Sequence, residues 1–364
     1  MAMKLLRSDQ THSTRDVARF VEEARVTAQL GHPGVVPVHA MGRLEDGRLF
    51  FTMEEVTGET LTDVLSSGRL RLRRLVSIFH QVCETMAFAH DRGVVHCDLK
   101  PDNIMIGAYG EVRVLDWGLA LTPDGDIPAA GAVSGTPAWM PPEQARGHSD
   151  LLDCRADVYA LGAILYRMIV GRPPYEGSDA HQILARVIAG APDPLVVLEQ
   201  YGGLENLSDI CRLAMAREPA ARFPSASGLV EAVEGWLDGA QRREAALRVV
   251  DRSARVAAEA EELGAGAKRL RARSQLLLAD VQAWETIERK VPGWELADEA
   301  EALEREVSLK VLESEQLLRA ALTHDPELPE AHAALVARYR EQHARRCRAL
   351  PRRRWRCITA HRSA

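Results

Sequence analysis

The sequence predicts an α+β fold: a small strand-bearing part, then a larger helical part, then an all-helical region. Three observations carry this. The runs Val35 to Met41 and Leu49 to Met53, joined by the turn Glu45-Asp46-Gly47-Arg48, read as strands. Asp16 to Leu30 and Leu75 to His90 repeat apolar residues at helical spacing, and Asp157-Val158-Tyr159-Ala160-Leu161-Gly162 opens a strongly apolar helix that runs to Val170. Beyond Gln241, Ala, Glu, Arg and Leu dominate and aromatics thin out, which suits helices alone.

Bulk properties narrow the class. The chain has 364 residues, enough for two or three domains, and 46% of them are apolar. With 46 basic and 52 acidic residues the net charge is -6, which predicts no nucleic-acid partner. Its 6 cysteines form no C-x-x-C pair, so neither a disulfide scaffold nor a zinc site is expected, and the expected compartment is the reducing cytoplasm. Met1-Ala2-Met3-Lys4 is followed by no apolar leader, and no run of about 18 apolar residues predicts a membrane span.

The elements follow in order. In the Asp16 to Leu30 helix, Phe20, Ala24, Thr27 and Ala28 share one side, and His32-Pro33-Gly34 ends it. In Leu75 to His90, Val76, Phe79, Val82, Cys83, Met86 and Ala87 are spaced for one buried side, and Asp91-Arg92-Gly93 stops the helix. Further helices are expected over Ser178 to Ala189, Leu207 to Met215 and Ser225 to Leu237. The C-terminal region is expected as two or three long helices, with breaks near Gly264-Ala265-Gly266 and Val291-Pro292-Gly293-Trp294.

The chemistry concentrates in Val95-His96-Cys97-Asp98-Leu99-Lys100-Pro101-Asp102-Asn103. After it come Ile104-Met105-Ile106 and Val112-Arg113-Val114-Leu115, the second leading into Asp116-Trp117-Gly118. A loop that presents Asp, Lys and Asn after a helix, with another Asp one strand later, suits phosphates and hard metal ions. Asp98 and Asn103 are separated by five positions. These residues resemble the catalytic loop and metal-binding motif of a protein kinase of the Ser/Thr type, closest to the bacterial, eukaryotic-like kinases.

The resemblance covers residues 1–238 and implies a two-lobe kinase fold, with a small lobe at 1–56 and a large lobe at 57–238. It implies ATP and Mg²⁺ as cofactors and protein hydroxyls as acceptors. Asp98 would orient and accept the substrate proton, and Lys100 would neutralise charge on the γ-phosphate. Asn103 and Asp116 would each hold a magnesium ion. Ala2-Met3-Lys4-Leu5-Leu6 resembles the third small-lobe strand, with Lys4 on the α and β phosphates. Glu23 would pair with it; Glu22 is adjacent, but the Glu-Ala-Arg context favours Glu23. Met53 would gate the pocket behind adenine, and the backbone of Glu54 and Val56 would meet the adenine edge.

Gly135-Thr136-Pro137-Ala138-Trp139-Met140-Pro141-Pro142-Glu143 resembles the end of an activation segment whose hydroxyls are Thr122, Ser134 and Thr136. Thr136 would bond Asp98 and Lys100 and favour Ser/Thr acceptors over Tyr. Glu143 would pair with Arg222, and Asp157 would accept hydrogen bonds from the catalytic-loop backbone. Two positions depart from the family pattern. Cys97 stands where Arg usually reads an activating phosphate, so activity is expected not to need that phosphate; Cys97 could instead be a redox-sensitive thiol. Trp117 stands where Phe is usual.

No glycine-rich loop precedes Lys4, so the expectation is an incomplete small lobe, from a late start or a truncated gene, and weak activity of this polypeptide. A non-catalytic kinase-like scaffold is the alternative. A small-molecule phosphotransferase is disfavoured by Thr136 and the Pro-Pro-Glu segment. Residues 241–346 are expected as a coiled-coil or repeat-like region that recruits protein partners. Within it, Ala321-Leu322-Thr323-His324-Asp325-Pro326 with Ala331 to Tyr339 resembles one tetratricopeptide repeat. Residues 347–364 form a basic tail, either a contact tail or a misread end.

Overall fold

A computed structural model describes residues 1–7, 14–123, 133–190 and 204–349. Part of the expected activation segment (124–132) and most of the basic tail (350–364) lie outside the described residues. The chain forms two compact units, Met1–Asp238 and Gly239–Ala364.

The first unit opens with β1 (Ala2–Leu5), α1 (Thr14–Gln29), β2 (Val38–Arg43) and β3 (Leu49–Met53). The strands form an antiparallel sheet of order β1-β3-β2, with Lys4 opposite Phe51. Phe20 and Ala24 of α1 pack on Phe51 and Leu6, a small core separate from the main one. The second strand begins three residues later than the sequence suggests, at Val38. Val35 instead bridges Val114, and the intervening Pro37 has no N–H to give a ladder.

The large lobe starts with β4 (Gly58–Thr60) and α2 (Leu61–Ser67). Thr60 and Asp63 cap α2 reciprocally: each side chain accepts from the other's backbone N–H. Then follow α3 (Leu72–His90), β5 (Ile104–Gly107) and β6 (Val112–Val114), and β4, β5 and β6 make a second antiparallel sheet. The short α4 (Pro142–Ala145) leads to α5 (Cys154–Val170), capped by the Asp153 side chain on Arg155 N–H. Helix α5 is buried on nearly every side, consistent with its unbroken apolar sequence, and α6 (Ala180–Ala189) and α7 (Leu204–Ala214) complete the helical body. Val76, Ile78, Phe79, Val82 and Met86 of α3 meet Val158, Leu161, Ile164 and Leu165 of α5 in one buried cluster. Each such side chain contributes about 1.5–3 kcal/mol by leaving water. The result is a small β-rich lobe followed by a large helical one, the two-lobe kinase architecture.

The division between the units falls inside α8 (Ala226–Ala279), which is followed by α9 (Ile287–His324) and α10 (Pro329–Ala349). The two expected helix breaks are corrected here. Helix α8 runs straight through Gly264-Ala265-Gly266, and α9 through Pro292-Gly293; the chain turns at 280–286 instead. These glycines mark helix contact. A Cβ on Gly293 would lie 2.5 Å from Leu278 Cγ, and one on Gly266 would touch Leu303. Ser274 Oγ donates to the Gly293 carbonyl at 2.7 Å. Pro292 lies in the second turn of α9, where the carbonyl it leaves unpaired belongs to exposed Glu288 and can be hydrated. Ala321, Leu328 and Ala331, around the α9–α10 turn, are buried with Ala246 of α8. Among the described residues no helix is long and apolar enough to cross a membrane.

Candidate active site

The loop after α3 is held by its backbone. Val95 and Leu121 exchange both N–H···O bonds, at 2.9 and 2.7 Å. Asp157, on buried α5, accepts the N–H of His96 on Oδ2 at 2.7 Å and that of Cys97 on Oδ1 at 2.9 Å. His90 Nε2 reaches the same Oδ2 at 3.0 Å and, with its Nδ1 accepting from Ala226 N–H, fills the space behind the carboxylate. Cys97 and Asp116 are the two non-glycine residues described at positive φ, both near 62°. Such backbone persists only when its surroundings fix it, and here the Asp157 carboxylate does so for Cys97.

This loop presents Asp98, Lys100 and Asn103 together. Thr136 donates to Asp98 Oδ1 from its N–H at 2.8 Å and its hydroxyl at 2.9 Å. Lys100 Nζ lies 3.0 Å from Asp98 Oδ2 and 2.8 Å from Thr136 Oγ1. Asn103 is buried, and its Nδ2 donates to the Asp98 carbonyl at 2.9 Å. That bond uses the amide nitrogen, so Asn103 Oδ1 is the atom left to ligate a hard cation.

A second cluster joins the small lobe to this loop. Lys4 Nζ is 2.5 Å from Glu23 Oε1 and 3.0 Å from Asp116 Oδ1. Strand β1 supplies Lys4, α1 supplies Glu23 and the residue after Leu115 supplies Asp116, so three distant stretches meet on one ammonium. Burial opposes the Lys4 charge, but Glu23 and then Asp116 outweigh it and raise its pKa. For Asp116 burial works upward, yet Lys4 and, more weakly, Lys100 hold the carboxyl below its usual range. Burial pushes the Glu23 carboxyl upward despite the pull of Lys4. Glu22, the neighbouring candidate, pairs instead with Arg25 at 3.0 Å. An Asn oxygen and a carboxylate near a lysine fit magnesium, which takes one or two protein oxygens and completes its shell with phosphate and water.

The strand β3 ends at Met53, which packs with the Leu6–Phe20–Phe51 cluster. Glu54 N–H donates to the Pro37 carbonyl at 3.0 Å, which fixes the connector and turns the Glu54 N–H away from any ligand. Trp117 is fully buried in the same cluster as Val26 of α1 and Leu30 just after that helix, its ring 4.8 Å from His96, and its Nε1 has no partner. His96 in turn donates from Nε2 to the Leu115 carbonyl at 3.0 Å, and its Nδ1 accepts from Asp98 N–H.

Glu143 and Arg222 form a bidentate pair at 2.6 and 2.8 Å, both side chains buried. Arg222 also donates to the carbonyls of Ala216, Arg155 and Arg217, so its guanidinium is saturated. Burial, then Asp157, push the Cys97 thiol well above the ordinary cysteine value, which disfavours the reactive thiolate. His90, His96 and Gln144 are the contributors that sequence reasoning did not single out. Gln144 directly follows the Glu143 of the motif, and the two histidines sit at the end of α3 and just before Cys97.

A family model for the protein kinase domain matches residues 1–217 of the 364. The chain is 33% identical over 269 residues to the serine/threonine-protein kinase PknD of Chlamydia felis, covering 66% of this chain and 28% of that protein. It is 34% identical over 235 residues to the serine/threonine-protein kinase PknB of Mycobacterium tuberculosis, covering 62% and 37%. It is 37% identical over 262 residues to the serine/threonine-protein kinase pkn3 of Myxococcus xanthus, covering 67% and 48%. Fold and site therefore define a two-lobe kinase-like protein. The chain belongs to the serine/threonine protein kinase family, with a domain of the bacterial, eukaryotic-like type. It spans between about a quarter and a half of the length of these relatives.

Proposed function

We propose that this protein transfers the γ-phosphate of ATP to serine or threonine hydroxyls of protein substrates. The observation that carries the reading is the convergence of Lys100 and Thr136 on the Asp98 carboxylate. Asp98 orients the incoming hydroxyl and takes its proton as that oxygen attacks the γ-phosphorus. The bond from this phosphorus to the β,γ-bridging oxygen breaks, and ADP leaves. Lys100 offsets charge growing on the γ-phosphate oxygens. Lys4, held by Glu23, binds the α and β phosphates, and the adenine edge meets the Glu54 carbonyl and the Val56 backbone. Magnesium, held by Asn103 and Asp116 when bound, neutralises the phosphate oxygens. The neighbouring Thr136 selects an aliphatic hydroxyl over a phenol.

In this reading residues 1–238 work as the catalytic domain. The helices of 241–346 recruit protein partners, in a manner similar to tetratricopeptide repeats, and the protein acts in the cytoplasm. Incubation of the purified chain with γ-labelled ATP, Mg²⁺ and casein tests the transfer. Label on Ser or Thr, lost in Asp98→Asn, is the expected result. Nucleotide binding without transfer, or no nucleotide binding at all, contradicts it and favours a scaffold.

A further inference from the structure

Cys97 leaves the catalytic loop without the arginine that would read an activating phosphate, yet the loop and the activation segment are joined at this point. Gln144, on α4, is buried. Its Nε2 donates to the Cys97 carbonyl at 2.7 Å and to the Ser134 carbonyl at 2.8 Å. One carboxamide nitrogen has two hydrogens, and each is spent on one of the two segments. We propose that Gln144 is a positioning residue for phosphoryl transfer: a neutral clamp that fixes the activation segment on the catalytic loop with no phosphate on that segment. The proposal rests on the kinase reading above.

Two further features point the same way. The Cys97 peptide is gripped at both ends, its N–H by Asp157 and its carbonyl by Gln144, which is what a non-glycine residue at φ 62° needs to stay in place. Gly135 sits against the clamp at φ 118°, where only glycine is comfortable. A Cβ there would lie 3.1 Å from Gln144 Nε2 and 3.3 Å from the Cys97 carbonyl oxygen. The bare glycine therefore lets the amide reach both carbonyls. Gly135 directly precedes Thr136, whose N–H and hydroxyl hold Asp98. The clamp therefore sets the position of the residue that orients the catalytic carboxylate. A neutral amide holds these carbonyls without a counter-charge, whereas a phosphate latch needs the cation that Cys97 does not supply.

The test uses the full chain and Gln144→Met, which keeps the side chain's length and removes both donors. Amide hydrogen exchange over 133–140 is compared with the wild type, together with peptide phosphorylation and ATP affinity. Exchange over 133–140 is expected to rise at least about tenfold, and kcat to fall by about 10- to 100-fold, as for a misplaced reacting group, with ATP affinity unchanged. Gly135→Ala, which presses a Cβ into the same amide, is expected to reproduce both effects and serves if Gln144→Met does not fold. Unchanged exchange overturns the clamp, and raised exchange with wild-type kcat overturns its positioning role. If the wild type itself transfers no phosphate, the kinase reading fails, while the exchange comparison still decides the clamp.

Discussion

Thr136 donates to Asp98 Oδ1 twice, through its N–H at 2.8 Å and its hydroxyl at 2.9 Å, and Lys100 joins the hydroxyl at 2.8 Å. The backbone bond survives any substitution except proline, whereas the hydroxyl bond depends on the side chain. Hydrogen bonds to charged groups are each worth about 1.5–3 kcal/mol. Thr136→Ala is therefore expected to lower kcat for a serine peptide by about 10- to 100-fold, and Thr136→Ser to stay within about threefold of the wild type. Steady-state kinetics on one peptide check both, and equal losses in the two variants would contradict the role of the hydroxyl.

The Glu143–Arg222 pair ties the end of the activation segment to the chain just before α8. Removing one partner strands a charge in a dry site, which costs about 3–5 kcal/mol. Arg222→Ala is expected to lower the denaturant midpoint accordingly. A loss below about 1 kcal/mol, the range of surface pairs, would show that the pair is solvated in solution.

Asp116 is held below its usual range: burial opposes its charge, but Lys4 and, more weakly, Lys100 outweigh burial. A carboxyl with a depressed folded pKa adds stability that is present above its unfolded value, about 3.9, and lost as pH falls through the lower folded value. The stability difference between the wild type and Asp116→Asn is thus expected to be level near neutrality and to shrink below about pH 4. Melting curves of both proteins from neutral to acid pH give this difference, and one that grows on acidification would reverse the sign assigned here.

Trp117 places an indole N–H without a partner in a fully buried site. Trp117→Phe removes that orphan, worth about 1–3 kcal/mol, and loses packing of similar size. The net change is expected to lie within about 1 kcal/mol. A larger loss in chemical denaturation would mean that Nε1 is bonded in solution.

The fold was legible where local signals agreed with packing. Leu49 to Met53 is a strand as expected, because its backbone pairs with β1 and β2 while Phe51 packs against Phe20 and Ala24 of α1. The C-terminal glycines misled for the opposite reason. Gly266 and Gly293 read locally as breakers, but inside long helices they let Leu303 and Leu278 approach, a tertiary effect that no window of sequence contains. In the site, Asp98, Lys100, Asn103 and Asp116 stood out as a spaced chemical set. Gln144 did not, because a glutamine after a glutamate carries no signal until two carbonyls are seen to converge on it.

The most direct measurement is γ-phosphate transfer from Mg-ATP to a protein acceptor by the wild type and by Asp98→Asn, with nucleotide binding measured in both. Ser/Thr phosphorylation by the wild type is expected, with a loss of at least about 100-fold in the variant and binding retained. Equal transfer by both proteins, or bound Mg-ATP with no transfer by the wild type, would contradict it.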